Sequence, residues 1–306
     1  MTDIFRNTSS HWVRYSQYEF RSTDDGVEYI FPVAGAMPDI YDPLKDTKEM
    51  VLEMVNVGIL CMNKKPEEEI RKAILRFVTH YGLLGFMTAL PTTPNFMNYE
   101  SVYLPINHFV KEEVLQTEEY LAYFFPFEKP DLIKKGVNSS WIIEKDNIMM
   151  ALAMTMGDKP LAVNMGFQRE YGERYDWLRQ QFKDWAFAAT TLLLFYEDAD
   201  KLNTDTKNLM YQGLNAYNGA APTYHIALMD TPILVWDFHS LLLGVQMSFF
   251  TMLTDQEKPL RLCKHCQKVF IAKHPNAVFC SPRCKNQYNV YKSRAKRKEA
   301  EQEDNK

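Results

Sequence analysis

Apolar and polar positions change period several times along this chain of 306 residues, and each change marks a predicted element. HWVRYSQYEF and VEYIFPV alternate in places and are split by Asp24-Asp25-Gly26, so residues 11–33 predict a β-hairpin. Residues 38–43 begin and end with proline and predict a loop. Asp46 can cap a helix over TKEMVLEMVNVGILCMNK, in which Cys61 sits on an apolar face as a small buried hydrophobe. A second helix is predicted from Pro66, behind three glutamates, through IRKAILRFVTHY to Gly82. Acid at its start and glycine at its end suit the helix dipole and the C-cap.

Further along, residues 90–105 hold three prolines and predict an irregular loop, and Lys111 to Phe124 predicts a helix. Residues 127–145 predict a loop, followed by an apolar, methionine-rich segment over 148–156. Gln168 to Tyr196 carries the longest helical pattern, with Trp177, Phe182, Trp185 and Phe187 among its apolar positions. Residues 199–222 predict a polar turn region with a short helix, and Tyr224 to Leu228 a strand. Asp230-Thr231-Pro232 then predicts the opening of a last body helix that runs to Leu253. Its 22 residues include Asp237, His239 and Gln246, which interrupt the apolar surface, so a buried helix is expected rather than a membrane span.

The fold class these elements imply is α+β: a predominantly helical body over residues 1–257 with an N-terminal β-hairpin, and a small unit over 258–306. Charge sharpens the division. The whole chain has a formal charge of −4, but residues 1–257 hold 22 Lys or Arg against 35 Asp or Glu, a net of −13. Residues 258–298 hold 12 Lys or Arg and no acid, and the last eight residues turn acidic. No basic n-region followed by an apolar run opens the chain, so a cytoplasmic protein is expected.

The sharpest chemistry lies in that basic segment. Cys263, Cys266, Cys280 and Cys284 read C-x2-C, thirteen residues, C-x3-C, and take four of the five cysteines into a 22-residue span. Paired thiolates at this spacing can close a tetrahedron around one Zn2+, and four sulfurs leave no open position for a catalytic water. A structural site is expected, with His265 and His274 on the surface. Val269 to Ala272 predicts a strand after the first pair, and His274-Pro275-Asn276 a turn. Ser281 is a good N-cap and Pro282 suits the first helical position, so Cys284 projects from the first turn of a new helix. Two ligands from a knuckle and two from a helix start describe a treble-clef-like finger, with Phe270, Phe279 and Tyr288 as its short core.

The helix that follows is basic. Lys285, Asn289, Lys292 and Lys296 recur at helical spacing, and Arg283, Arg294, Arg297 and Lys298 widen the charge. Four thiolates and one divalent ion contribute −2, which leaves residues 258–298 near +10. That density suits a polyphosphate partner, first of all duplex DNA, with structured RNA not distinguished. Asn286 and Asn289 can read base edges from such a helix. A solvated cationic face, or docking on the acidic body, are the alternative readings of the same residues.

The segment PLRLCKHCQKVF…VFCSPRCKNQYNVYKSRAKRK resembles the CGNR-type zinc finger, a C-terminal module of bacterial proteins associated with DNA-binding transcription regulation. The four cysteines, Phe270, the F-C-S opening of the second pair, Asn286 and the basic helix carry the resemblance. The motif's glycine is Lys285 here and its arginine is Gln287. FVTHYGLLGF and PILVWDFHSLLLGVQ are weakly similar to the helical domain that precedes such fingers. The resemblance implies a zinc-dependent DNA-binding regulator, and the leading expectation is a body that senses a signal, such as a small-molecule effector, or holds a homo-oligomer together. The competing reading is a finger that serves as a protein-interaction or self-docking module on a ligand-binding or assembly protein.

An active site is not expected. The chain contains no G-x-x-x-x-G-K, G-x-G-x-x-G, G-x-S-x-G or H-E-x-x-H. Asp237 and His239, two residues apart on the predicted last helix, would point to different sides of it.

Overall fold

Asp24, Asp25 and Gly26 turn the chain where their backbone preferences place the turn, with Thr23 N–H donating to the Val27 carbonyl at 2.9 Å. In this computed structural model, residues 7–9, 12–93, 96, 99–105, 107–127, 170–198, 200–215, 222–253, 260–274 and 276–303 are described. Strands β1 (Thr8–Ser9), β2 (Trp12–Tyr15), β3 (Tyr18–Ser22), β4 (Glu28–Pro32) and β5 (Pro38–Tyr41) open the chain. The predicted hairpin is β3–β4, antiparallel from Tyr18↔Pro32 to Ser22↔Glu28. Trp12–Tyr15 breaks away from β3 and pairs instead with β5, from Trp12↔Tyr41 to Tyr15↔Pro38. Residues 38–41 are therefore a strand, not the expected loop. Pro38 stands at the strand's first position and Pro43 beyond its end, where a missing N–H removes no ladder bond.

Asp42 accepts from Leu44 N–H at 3.0 Å and starts a 3-10 turn, Pro43–Asp46, that leads straight into α1 (Thr47–Met62). The cap expected of Asp46 falls on a side chain outside the described ones. Helix α2 (Glu67–Tyr81) has the predicted limits, and Gly82 closes it at φ 90°, with its N–H on the Val78 carbonyl. A short helix α3 (Phe86–Ala89), strands β6 (Ser101–Tyr103) and β7 (Val114–Gln116), and helix α4 (Thr117–Ala122) follow. The helix expected over Lys111–Phe124 thus begins only at Thr117. Val114 and Leu115 are spent on pairing with Val102 and Tyr103. The predicted loop over 127–145 and apolar run over 148–156 lie outside the described residues, save Phe127.

After β8 (Glu173–Arg174), α5 (Tyr175–Asp198) is the longest described helix, seven residues later in start than its predicted bound. Helix α6 (Thr204–Asn215) and strand β9 (Thr223–Leu228) fall where they are expected. The last body helix does not. Pro232–Asp237 is strand β10, antiparallel to β9, and α7 spans only Leu241–Leu253. Ile233, Val235 and Trp236 prefer a pleated surface, and the preceding β9 offers a partner that helical spacing alone cannot reveal. Strands β11 (Leu260–Leu262) and β12 (Val269–Ile271) and helix α8 (Pro282–Glu303) complete the chain. The fold is mixed helix and strand with several small sheets. Among the described residues, no helix is long and apolar enough to cross a membrane.

Helices α1 and α5 form the centre of the body. Their backbones approach so closely at Gly58 that an added Cβ would lie 2.0 Å from the Phe182 carbonyl oxygen. Phe77, Phe182 and Trp185 fill the space around this crossing. Among the described residues one carboxylate is also buried in the body. Glu173, wholly buried, accepts N–H donors from Leu84 (2.8 Å), Gly85 (2.6 Å) and Phe86 (2.9 Å), and the Tyr171 hydroxyl. Burial pushes its carboxyl above the usual range, against the pull of those donors. The carboxylate thereby satisfies the orphan amides at the start of α3, work that no neighbouring residue in the sequence performs. Cys61 is buried as expected, and burial pushes its thiol up to about 11.

Candidate metal centre and the basic helix it starts

Cys263 and Cys266 flank a tight knuckle. Cys263 N–H donates to the Lys268 carbonyl at 2.9 Å, Gln267 N–H returns to the Cys263 carbonyl at 2.9 Å, and Gln267 takes a left-handed φ of 58°. Lys264 N–H then reaches the Val278 carbonyl at 3.0 Å, which draws the second cysteine arm against the first. On that arm, Ala277 N–H closes the expected turn on His274 at 3.0 Å. Ser281 caps α8, its hydroxyl accepting from Cys284 N–H at 3.2 Å, and Pro282 occupies the first helical position as its fixed φ and missing donor favour.

These local choices bring all four sulfurs within 4.8 Å of one another. Cys266 and Cys280 Sγ are 3.7 Å apart, and Cys280 and Cys284 Sγ are 3.5 Å apart. None is in a disulfide. A tetrahedron with metal–sulfur bonds of about 2.3 Å has edges of about 3.8 Å, so the four donors fit one metal ion and are compatible with zinc. Their electrostatics point the same way. Cys263 is driven up by burial but pulled down further, to about 6, by backbone N–H groups including Cys266 and Cys280; the latter lies 3.5 Å from its sulfur. Cys280 is pushed up to about 12 by burial and by the neighbouring sulfurs. Sulfurs this close repel one another as thiolates, and a bound cation would offset that repulsion.

Phe279 and Tyr288, both half-buried, meet at 5.2 Å, and Phe270, half-buried too, lies on the opposite face of β12 from Val269, so the expected core of these three is only partly withdrawn from water. His265 stacks on Tyr291 at 5.7 Å, and His274 is exposed; neither belongs to the sulfur cluster. Along α8, Arg283, Lys285, Asn286, Asn289, Lys292, Arg294 and Arg297 are exposed, and the side chains of Lys296 and Lys298 lie outside the described ones. The cations therefore share one exposed helix that begins at the sulfur cluster.

The opposite side of this unit is docked. Leu260 and Val269 are buried within the body's hydrophobic core. Asn56 on α1 acts as an extra strand edge: Val269 N–H donates to its Oδ1 at 3.0 Å, and its Nδ2 donates to the Val269 carbonyl at 3.2 Å. Sequence reasoning missed this clamp because Asn56 looks like an ordinary polar break in an apolar helix. Elsewhere, Asp237 and His239 stand on and after a strand rather than on a helix. Asp237 pairs with His225 at 2.6 Å, and His239 with the Thr223 hydroxyl.

No family model matches the chain, and no curated protein or solved structure matches it either.

Proposed function

We propose that this chain is a zinc-finger protein that binds nucleic acid, in the manner of a DNA-binding transcription regulator. Zinc held by Cys263, Cys266, Cys280 and Cys284 is structural and completes a treble-clef-like finger, in keeping with the resemblance to CGNR-type modules. The observation that carries the reading is the exposure of Arg283, Lys285, Lys292, Arg294 and Arg297 on a helix whose first turn supplies a sulfur donor. Lysine and arginine neutralise phosphates, and Asn286 and Asn289 face base edges when the helix enters the major groove. The body is non-catalytic and cytoplasmic, and it positions the finger. An electrophoretic shift series on random duplex DNA tests this. Retention should fall by about 0.9 log units of affinity per log unit of salt for each phosphate contact, and a chelator should abolish it. Salt-independent retention, or none at low salt, would count against the reading.

The Asn56 clamp favours part of the second reading, a self-docking finger. The two are compatible because they use different faces: β11 and β12 dock on α1 and α5, while α8 is left to a partner.

A further inference from the structure

Helix α8 turns one particular side toward the finger. Cys284 supplies a sulfur donor, Tyr288 meets Phe279 at 5.2 Å and Tyr291 stacks on His265 at 5.7 Å. Their spacing of four and then three residues puts these side chains on one face. At about 100° per residue, the opposite face is that of Asn286, Asn289 and Ser293. All three are exposed, uncharged, and able both to donate and to accept hydrogen bonds. The cations are not spread evenly around this ridge. Lys285 and Lys292, two turns apart, run along one flank of it, and Arg283, Arg294 and Arg297 run along the other. All five are exposed, and no Asp or Glu lies between Lys258 and Lys298 to interrupt either row.

We infer that the partner is a B-form duplex that α8 enters through the major groove, with the lysine row on the phosphates of one strand, the arginine row on those of the other, and Asn286, Asn289 and Ser293 on the base edges between them. The inference rests on the nucleic-acid reading above and adds which nucleic acid is bound and how the helix is turned in it. A helix with its side chains is about 10–12 Å across, so rows on its two flanks stand about as far apart as the walls of a groove about 12 Å wide. The floor of that groove presents donors and acceptors, which amide and hydroxyl groups match. A single strand offers one line of phosphates and is held by bases stacked on free aromatic faces. Tyr291, 58 % exposed, lies off the ridge and is already stacked on His265. An A-form RNA helix has a major groove too deep and narrow for side chains to read. The duplex with two accessible walls is the class that uses both rows and the ridge together.

Fluorescence anisotropy on the full, zinc-loaded chain tests it with four probes of one sequence: duplex DNA, its single strand, the duplex RNA, and a DNA duplex whose hydroxymethylcytosines carry glucose that fills the major groove. Duplex DNA should bind at least about tenfold tighter than each of the other three. On duplex DNA, replacing Arg283, Arg294 and Arg297 together by Ala should lower the salt slope by about 2.7, and Lys285→Ala with Lys292→Ala by about 1.8, at unchanged metal content. Asn286→Ala, Asn289→Ala and Ser293→Ala together should keep the slope and lose the preference for sequences selected from a randomised duplex pool. Equal affinity for the single strand or the RNA, indifference to the glucose, or a slope carried by one row alone overturns the two-walled groove and leaves nucleic-acid binding standing. Retention of none of the probes overturns both.

Discussion

In the body the side chains most withdrawn from water include Phe77, Phe182 and Trp185, each 0 % exposed, whereas among the described residues of the C-terminal unit Cys263 alone reaches that value. The body is held by apolar volume gathered from helices far apart in sequence. The C-terminal unit has Phe279 against Tyr288 and little else, and borrows the rest by placing Leu260 and Val269 in the body's core. A segment of that size usually needs a staple, which the proposed metal at its sulfur cluster would supply. The contrast separates two kinds of stability that distinct perturbations can reach.

The largest effect should follow Cys263→Ser. Structural zinc in small fingers is worth about 10–16 kcal/mol of apparent binding free energy, so losing one buried donor should melt the start of α8. Far-ultraviolet circular dichroism should show a loss of helix, with the body's melting transition still cooperative. A variant as helical as wild type would put the finger's stability elsewhere. Glu173→Ala strikes the other region. It strands three buried N–H groups, at a cost of about 3–5 kcal/mol to the body in chemical denaturation. Metal content per chain should be unchanged below the transition.

How far each region could be read from sequence follows the same division. The donors of the metal centre, the Ser281 cap and Pro282 lie within a short span, and short-range rules suffice for them. The limits of α2 were legible for the same reason, with glutamates at one end and Gly82 at the other. Glu173 was invisible because its partners, Leu84 to Phe86, are nearly ninety residues away. Pro232–Asp237 was misassigned because an apolar run before a helix continues its pattern whether it is strand or helix, and only pairing with β9 decides. Lys111–Phe124 failed likewise, its first apolar residues being taken up by β6.

A smaller effect should come from Asn56→Ala, which sits on the boundary of the two regions. It removes both hydrogen bonds to Val269, at about 2–3 kcal/mol by thermal or chemical denaturation, with the metal retained. If stability does not change, the docking is not what the distances imply. The smallest effect on stability should be charge reversal at Lys292, Arg294 and Arg297 together, within about 0.5 kcal/mol per site because these side chains are exposed. On duplex DNA the same variant should lose affinity and a salt slope of about 0.9 for each phosphate contact removed. Unaltered retention would shift the partner of this unit from nucleic acid to protein.

Native mass spectrometry of the full chain, purified without chelator, most directly tests the claim that a metal holds the C-terminal unit together. One zinc ion per 35.8 kDa chain is predicted, released by chelation as four thiols become reactive together. A metal-free mass, with the same four cysteines freely alkylated in a chain whose helix content is intact, would contradict it.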